Sequence, residues 1–457
     1  MRTYPLAFVL GTSLAFVLAL AACVPAAAPA TPTPAAKPAA TSAPASGAPA
    51  AATSAPASAP SAAKSGATKK IVIGFTASQT GAQNVASKKQ IEGTQLWLDD
   101  VTKAGGIKLK DGTVLMPEMK FYDDESKTDR VQALYTKLIQ EDKVDFLISP
   151  YSSGLAKAAA LVSEQNGRIL ITTGAADDAT MEQGFKNVFQ LYTPASRYLT
   201  QAVDLLKQLD PASKKIAIVY EKDSFSTSVA QALQPYAKDK GYDVVMFEGY
   251  DSGATDFAPF INKIQATNPD AILGGGHFQD GTTFAKQIYD KRVPVKMLSL
   301  LVAPPEPTFI DIGAAAENVI GPSQWEPGVT YSADAAKAAN LPWYGLSAKE
   351  FTAEYQAKYN SLPSYHSAGG YAAGQILQKA IEDADSADPA KVSAALDKQK
   401  LMTVFGAVAF SQDAKTHGKQ TLHDMVLMQW QKDPSGKFVS QIVSPDSAKT
   451  AAPQLRK

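Results

Sequence analysis

Residues 145–178 read DFLISPYSSGLAKAAALVSEQNGRILITTGAADD. The order is apolar run, polar loop, amphipathic stretch, apolar run, polar loop. Residues 146–148 have the short apolar character of a parallel strand covered by helices on both faces. Leu155, Ala158, Ala159 and Val162 follow at i, i+3, i+4 and i+7, the apolar stripe of a helix. Residues 169–171 give a second strand. In such a β-α-β unit both polar loops leave the carboxyl ends of strands, the edge at which open α/β sheets bind ligands. Ser152 and Ser153 fall near the helix N-terminus, where free backbone N–H groups and two hydroxyls converge on one small polar group, preferably an anion.

The same alternation extends in both directions. Before the stretch, residues 71–73 and 119–122 read as strands. A helix over 88–103 (Ile91, Trp97, Leu98, Val101) lies between those two strands, and Gly105-Gly106 stops it. A helix over 128–140 (Val131, Leu134, Tyr135, Leu138, Ile139) lies between the second of them and the strand at 146–148. After the stretch come a strand at 188–191 and a helix at 198–209. The pattern then restarts with strands at 216–219, 244–247 and 271–273 and helices between and after them. Strands alternating with helices make a doubly wound parallel sheet. A shift of about 125 positions lays Ile139 on Ile264, Gln140 on Gln265 and Asp145 on Asp270, which marks an internal repeat. The fold expected is α/β: two doubly wound, Rossmann-like lobes joined by a hinge. Under the repeat, the Ser152-Ser153 loop and the loop of His277 leave corresponding strands and meet across a cleft. Residues after 325 are loop-rich, then helical, then strand-like at 404–410, 425–431 and 438–443, with no βα rhythm. They pad the lobes and add crossings between them. The division expected is 69–193 with 326–403 in the first lobe and 194–325 with 404–457 in the second.

The beginning of the chain has another character. Residues 1–22 carry Arg2, an apolar run from Leu6 to Leu20 and a small-residue end, which is the plan of a signal peptide. Leu20-Ala21-Ala22-Cys23 reads as a lipobox, with Cys23 lipidated and acyl chains holding the protein on a membrane. Residues 24–68 are almost wholly Ala, Pro, Ser and Thr, a composition that buries no core and serves as a spacer. Cys23 is the single cysteine, so no intrachain disulfide forms. The chain has 457 residues, enough for two full cores. Its formal net charge is zero, which argues against a nucleic-acid partner.

Catalytic patterns fail. Gly321-Pro322-Ser323-Gln324-Trp325 lacks the second glycine of a nucleophile elbow. Neither Gly74-Phe75-Thr76 nor Gly274-Gly275-Gly276-His277 has dinucleotide-loop spacing. His277, His366, His417 and His423 are too scattered to be a metal site by themselves. Asp123-Asp124 and Asp177-Asp178 are acid pairs of the kind that cap helices. No nucleophile has an obvious base. A binder is expected rather than an enzyme, with no cofactor and no metal.

Lipobox, spacer and two α/β lobes together resemble a solute-binding lipoprotein of an ATP-driven importer. Ala104-Gly105-Gly106-Ile107 before Tyr122-Asp123-Asp124 is similar to the leucine/isoleucine/valine-binding protein family. So are Tyr151-Ser152-Ser153, Gly174-Ala175-Ala176 and Ile216-Ala217-Ile218-Val219, and the likeness spans residues 69 to about 438. The resemblance implies the type I periplasmic binding protein fold, three interdomain crossings, and a small solute trapped on closure and passed to an ABC permease. It implies that Ser152 or Ser153 and the backbone amides of Ala175, Ala176 and Asp177 hold a ligand carboxylate. Phe225 is the matching aromatic contact of the second lobe, and His277 stands where the family commonly has a tyrosine. Tyr198 and Trp325 are further candidates for cleft aromatics.

Two positions depart from the family. Asp177 replaces a threonine, and a carboxylate there repels a ligand carboxylate by roughly 1–4 kcal/mol at 4 Å. No acid stands near Leu300-Leu301, where the family binds the ligand ammonium; the next is Glu306. The solutes left open are a branched-chain or other hydrophobic amino acid, an amide, an aromatic acid, or a cation held by Asp177. The protein is expected to be a monomer outside the cytoplasm. A ligand sensor for a signalling receptor and a secreted hydrolase are the rival readings.

Overall fold

The central strand of the first sheet, β1 (Thr68–Ala77), pairs in parallel with β3 (Val114–Asp123) on one side and β4 (Phe146–Ile148) on the other. The computed structural model describes residues 66–456; the expected leader, Cys23 and nearly all of the spacer lie outside them. Between β1 and β3 come helix α1 (Asn84–Lys103) and the two-residue β2 (Ile107–Lys108), antiparallel to β3. α2 (Thr128–Gln140) leads into β4, and α3 (Ser153–Gln165) into β5 (Leu170–Thr172). α4 (Asp178–Met181) precedes β6 (Val188–Gln190), and the sheet order is β2-β3-β1-β4-β5-β6. Phe146, Leu147 and Ile148 are all buried, because α1 and α2–α3 cover opposite faces, as the unbroken apolar run requires.

The second sheet repeats the plan. α5 (Thr200–Leu209) precedes β7 (Lys215–Glu221); α6 (Ser224–Asp239), β8 (Asp243–Tyr250), α7 (Ala258–Thr267), β9 (Ala271–Gly275), α8 (Phe278–Asp290), β10 (Met297–Leu300) and β11 (Ile320–Ser323) come after it in turn. Parallel order β8-β7-β9-β10-β11 matches β3-β1-β4-β5-β6 strand for strand. The repeat register holds in atomic detail. Asp145 accepts from Val72 N of β1 at 2.7 Å, and Asp270 accepts from Lys215 N of β7 at 3.0 Å. Each acid ties the start of its strand to the first strand of its sheet.

The rest of the chain consists of α9 (Ala333–Ala338), α10 (Ala348–Tyr359), α11 (Tyr365–Ala384), α12 (Pro389–Leu396), the hairpin β12–β13 (Lys400–Thr403, Gly406–Ala409), β14 (Val426–Lys432) and β15 (Phe438–Ser444). α11 returns to the first sheet and lies against α1. β14 and β15 extend the second sheet in antiparallel sense beyond β11. Strands β10 and β11 have no counterpart in the sequence reading. β11 contains Gly321 and Pro322, residues that normally argue against a central strand. It survives because its antiparallel partner β14 supplies a ladder, whereas its parallel pairing to β10 is a single register position. Helices α9 and α12 are too short for the apolar period to stand out in sequence.

The chain passes between the sheets three times, and the three passages are tied together at one place. Thr193 N donates to Gln324 Oε1 at 3.0 Å, and Gln324 Nε2 donates back to Thr193 O at 3.3 Å and to the Tyr198 hydroxyl at 2.8 Å. Thr193 Oγ1 donates to His423 O at 2.9 Å, and His423 Nε2 donates to Gln324 O at 2.8 Å. Trp325 is buried here, its indole N–H on Val404 O at 3.0 Å, and does not line the cleft.

The packing and the knot each set an expectation. α1 and α11 touch backbone to backbone: a Cβ on Gly93 would lie 1.9 Å from Ser367 O, and one on Gly370 2.2 Å from Gln90 O. Gly93→Val forces the helices apart and should cost about 1–3 kcal/mol in urea unfolding, the range for overpacking; an unchanged midpoint contradicts the contact. The second concerns His423, whose burial pushes its pKa down to about 4 from 6.5. Below pH 6.5 the unfolded chain takes up the proton first. The stability His423 contributes is therefore complete above about pH 6.5 and lost as pH falls through about 4. His423→Gln should flatten that acid limb when urea midpoints are compared at pH 7 and pH 4.5.

Candidate functional site

Loops from the carboxyl ends of both sheets converge on one cavity. The loop after β4 brings Tyr151, Ser152 and Ser153, the loop after β5 brings Gly174 and Ala176, and Tyr192 follows β6 by two residues. From the second sheet come Phe225 in the first turn of α6, His277 after β9 and Val302 after β10. Tyr198 and the first turn of α11, Tyr365 and His366, complete the wall. Each strand ends at this edge for the reason open α/β sheets bind there: the loops diverge and leave a crevice beyond the strand tips.

The serine loop and the histidine loop do meet. The Tyr151 hydroxyl lies 2.6 Å from His277 Nδ1, and His277 Nε2 lies 2.5 Å from Asp223 Oδ2. Burial alone would depress the His277 pKa. The Asp223 carboxylate against it outweighs burial, with Glu221 and Asp280 adding, and the imidazolium is held up to about 9. Asp223 is raised by burial but lowered more by His277 and by Ser226, and stays ionised below the usual range. Burial pushes the Glu221, Asp280 and Asp177 carboxyls up, and the Tyr151 phenol well up. A second buried pair faces the same cavity: His366 Nδ1 lies 2.5 Å from Glu306 Oε1. Tyr151 stands edge-on to both imidazoles, at 4.8 Å from His366 and 5.5 Å from His277.

Of the seven ligand-contact candidates, Ser152, Ser153, Ala176, Phe225 and His277 line the cavity; Ala175 and Asp177 are buried beside it. Ser153 Oγ accepts from Ala176 N at 3.0 Å and Asp177 N at 3.2 Å. The two amides and the hydroxyl expected to grip a carboxylate thus bond to one another. Asp177 caps α4, accepting from Thr180 N at 3.1 Å and Thr180 Oγ1 at 2.7 Å, and reaches the Ser224 hydroxyl at 3.2 Å across the cleft. Phe225 packs edge-on against Tyr198 at 4.9 Å. Cys23 lies outside the described residues.

Sequence reasoning missed Tyr151, Tyr192, Tyr365 and His366 as wall residues. By composition they read as core, and the available signal was position, since Tyr151 and Tyr192 stand just past strand ends. The histidines do not gather into a site with one another, but His277 joins Glu221 and Asp223, whose donor atoms all lie within 4.8 Å of each other.

The aromatic walls close so far that the cavity measures about 10 Å³, room for about one water. Any larger solute needs the two sheets' loops to part.

The chain matches the model of a family described as periplasmic binding protein over residues 70–436. An amino acid binding protein of Pseudomonas aeruginosa is 24% identical over 377 residues, 81% of this chain and 92% of the relative. Leu/Ile/Val-binding protein homolog 8 of Brucella melitensis is 25% identical over 390 residues, 83% of this chain and 91% of the relative. Among solved structures, a leucine binding protein LivK from Thermotoga maritima superposes with a TM-score of 0.69 at 19% identity, covering 82% of this chain and 99% of that one. A solute binding protein from R. palustris in complex with 4-hydroxybenzoate gives 0.68 at 20%, covering 84% and 98%. The fold is that of a type I periplasmic binding protein.

The Asp177 geometry carries its own expectation. Asp177→Ala removes the cap of α4 and the contact to Ser224, and should lower stability by about 0.5–2 kcal/mol in urea unfolding. No change would mean that the carboxylate is not engaged as described.

Proposed function

Because this chain belongs to the periplasmic binding protein family, we propose that it is an extracytoplasmic solute-binding lipoprotein that delivers a small molecule to an ABC importer by hinge closure. The observation that carries the reading is the meeting of Tyr151 and His277, from corresponding loops of two repeated sheets, over a cavity walled by aromatic rings. That cavity is reached by parting the two sets of loops about the three tied passages. No covalent step is involved. Ligand contacts made to both sides at once supply the energy that favours the closed arrangement.

The walls support one solute class. Tyr192, Tyr198, Phe225 and Tyr365 offer apolar ring faces, while Ser152 and the N-terminus of α3 offer polar handles at one end. This combination suits a hydrophobic amino acid, an amide or an aromatic acid, one end stacked among rings and the other hydrogen-bonded. The solved relatives include one named as leucine binding and one in complex with 4-hydroxybenzoate, which brackets the same range. Asp177, engaged with Thr180 and Ser224, is a structural acid in this reading and leaves the solute carboxylate to the Ser152 side. Cys23, lipidated, holds the protein on the membrane with residues 24–68 as tether, and the folded part works as a monomer with its permease.

A thermal-shift panel of hydrophobic amino acids, amides, aromatic acids and polyamines identifies the solute, since a ligand that binds only the native form raises Tm. With that solute, Ser152→Ala together with Ser153→Ala should weaken binding at least about tenfold by calorimetry, about 1.4 kcal/mol. An unchanged titration overturns the assignment of the polar end, and a panel with no hit at millimolar concentration overturns the solute class.

A further inference from the structure

We propose that Glu221, Asp223 and His277 form a binding site for a first-row divalent cation, with Asp280 beside them as a further carboxylate. Glu221 ends β7, Asp223 caps α6 and His277 stands just before α8, so three strand-tip and helix-start positions of the second sheet converge. Glu221 Oε2 lies 3.9 Å from His277 Nε2, and Asp223 Oδ2 lies 2.5 Å from the same nitrogen. One imidazole nitrogen with two or three carboxylate oxygens is a donor set for zinc or manganese rather than for a soft thiophilic ion.

Two observations beyond the cluster itself point to a ligand. Glu221 is only 6% exposed, yet its Oε2, the oxygen that faces His277, has no hydrogen-bond partner among the described residues. Leaving a buried carboxylate oxygen unpaired costs free energy, and a coordinated ion removes that cost. The second observation is Gly276. A Cβ at that position would lie 2.3 Å from Glu221 Oε2 and 2.5 Å from Asp280 Oδ2. The two carboxylates thus crowd over a bare glycine, and any side chain there would push them out of the cluster.

The outer contacts are those of a metal site. Asp223 Oδ1 accepts from Ser226 N at 2.6 Å, Asp280 accepts from the Tyr250 hydroxyl, and His277 Nδ1 faces the Tyr151 hydroxyl. A metal-bound imidazole uses its other N–H as a donor, which here fixes the ring against Tyr151 of the opposite sheet. The ion therefore takes the place of the proton between Nε2 and Oδ2, releasing it to solvent, and spreads those two atoms by roughly 1 Å to reach metal–ligand bonds of about 2.0–2.2 Å. It enters from a separate cleft of about 350 Å³, lined by Glu221, His277 and Asp280 on one side and by Gln83 of the first sheet's loop on the other. Ion and solute would thus approach His277 from different sides.

The test uses untagged full-length protein dialysed against EDTA and titrated with zinc chloride and, separately, manganese chloride by calorimetry. The result expected is one equivalent bound, with Glu221→Gln weakening it at least about tenfold and Asp280→Asn weakening it less. Asp251→Asn, at an exposed acid of the same lobe, should leave binding unchanged. Cobalt absorption reads the same site through its coordination geometry, and circular dichroism shows that each variant is folded. No stoichiometric binding of either ion, or binding equal in the parent and Glu221→Gln, overturns the proposal. Neither result depends on the solute.

Discussion

Everything in this molecule hangs on the amide of Gln324. It sits where the second passage between the sheets begins, and it binds the first passage through Thr193 and Tyr198, while the backbone carbonyl of Gln324 receives His423 of the third. Three chain segments that run between two independent sheets would otherwise be free to slide. Tied side by side, they form the line about which the proposed hinge closure would turn. The residues of this knot are buried, so its hydrogen bonds are made at low dielectric, where they are stronger than in water.

Beside that line, strand tips from the two cores come to one point. The first sheet contributes two tyrosines, a pair of serines and a helix start, and the second contributes a histidine, an acid cluster and a phenylalanine. Two buried histidine–carboxylate pairs stand at the seam. One, His277 with Asp223, belongs wholly to the second sheet and reaches across through Tyr151; the other, His366 with Glu306, spans the seam itself. The cleft is therefore polar at its edges and aromatic in its middle, an arrangement that orders a small molecule end to end.

Much of this was legible in the sequence. Short apolar runs alternating with amphipathic stretches pointed to the two lobes, and the echo of Asp145 in Asp270 to their kinship, because the same physical job at the start of each equivalent strand needs the same residue. The contact of the serine loop with the histidine loop followed from that echo. What sequence hid was of two kinds. β11, with Gly321 and Pro322, is a strand by virtue of its neighbours and not of its own residues. The wall tyrosines look like core because chemically they are core; only their place beyond a strand end distinguishes them. The sequence offered Asp177 two roles, helix cap and a charge that repels an anion; its carboxylate caps α4 through Thr180 and reaches Ser224, a matter of local geometry that no charge count contains.

The narrowness of the closed cavity also governs time. With space for about one water between the rings, a larger guest held there under the hinge-closure proposal would leave by a motion of the protein rather than by a diffusion step. Residence is then timed by how often the knot of passages lets the tips separate, whatever the guest. A partner that pulls on the two sheets would shorten that wait without touching the guest, so handover would be fast even where spontaneous loss is slow.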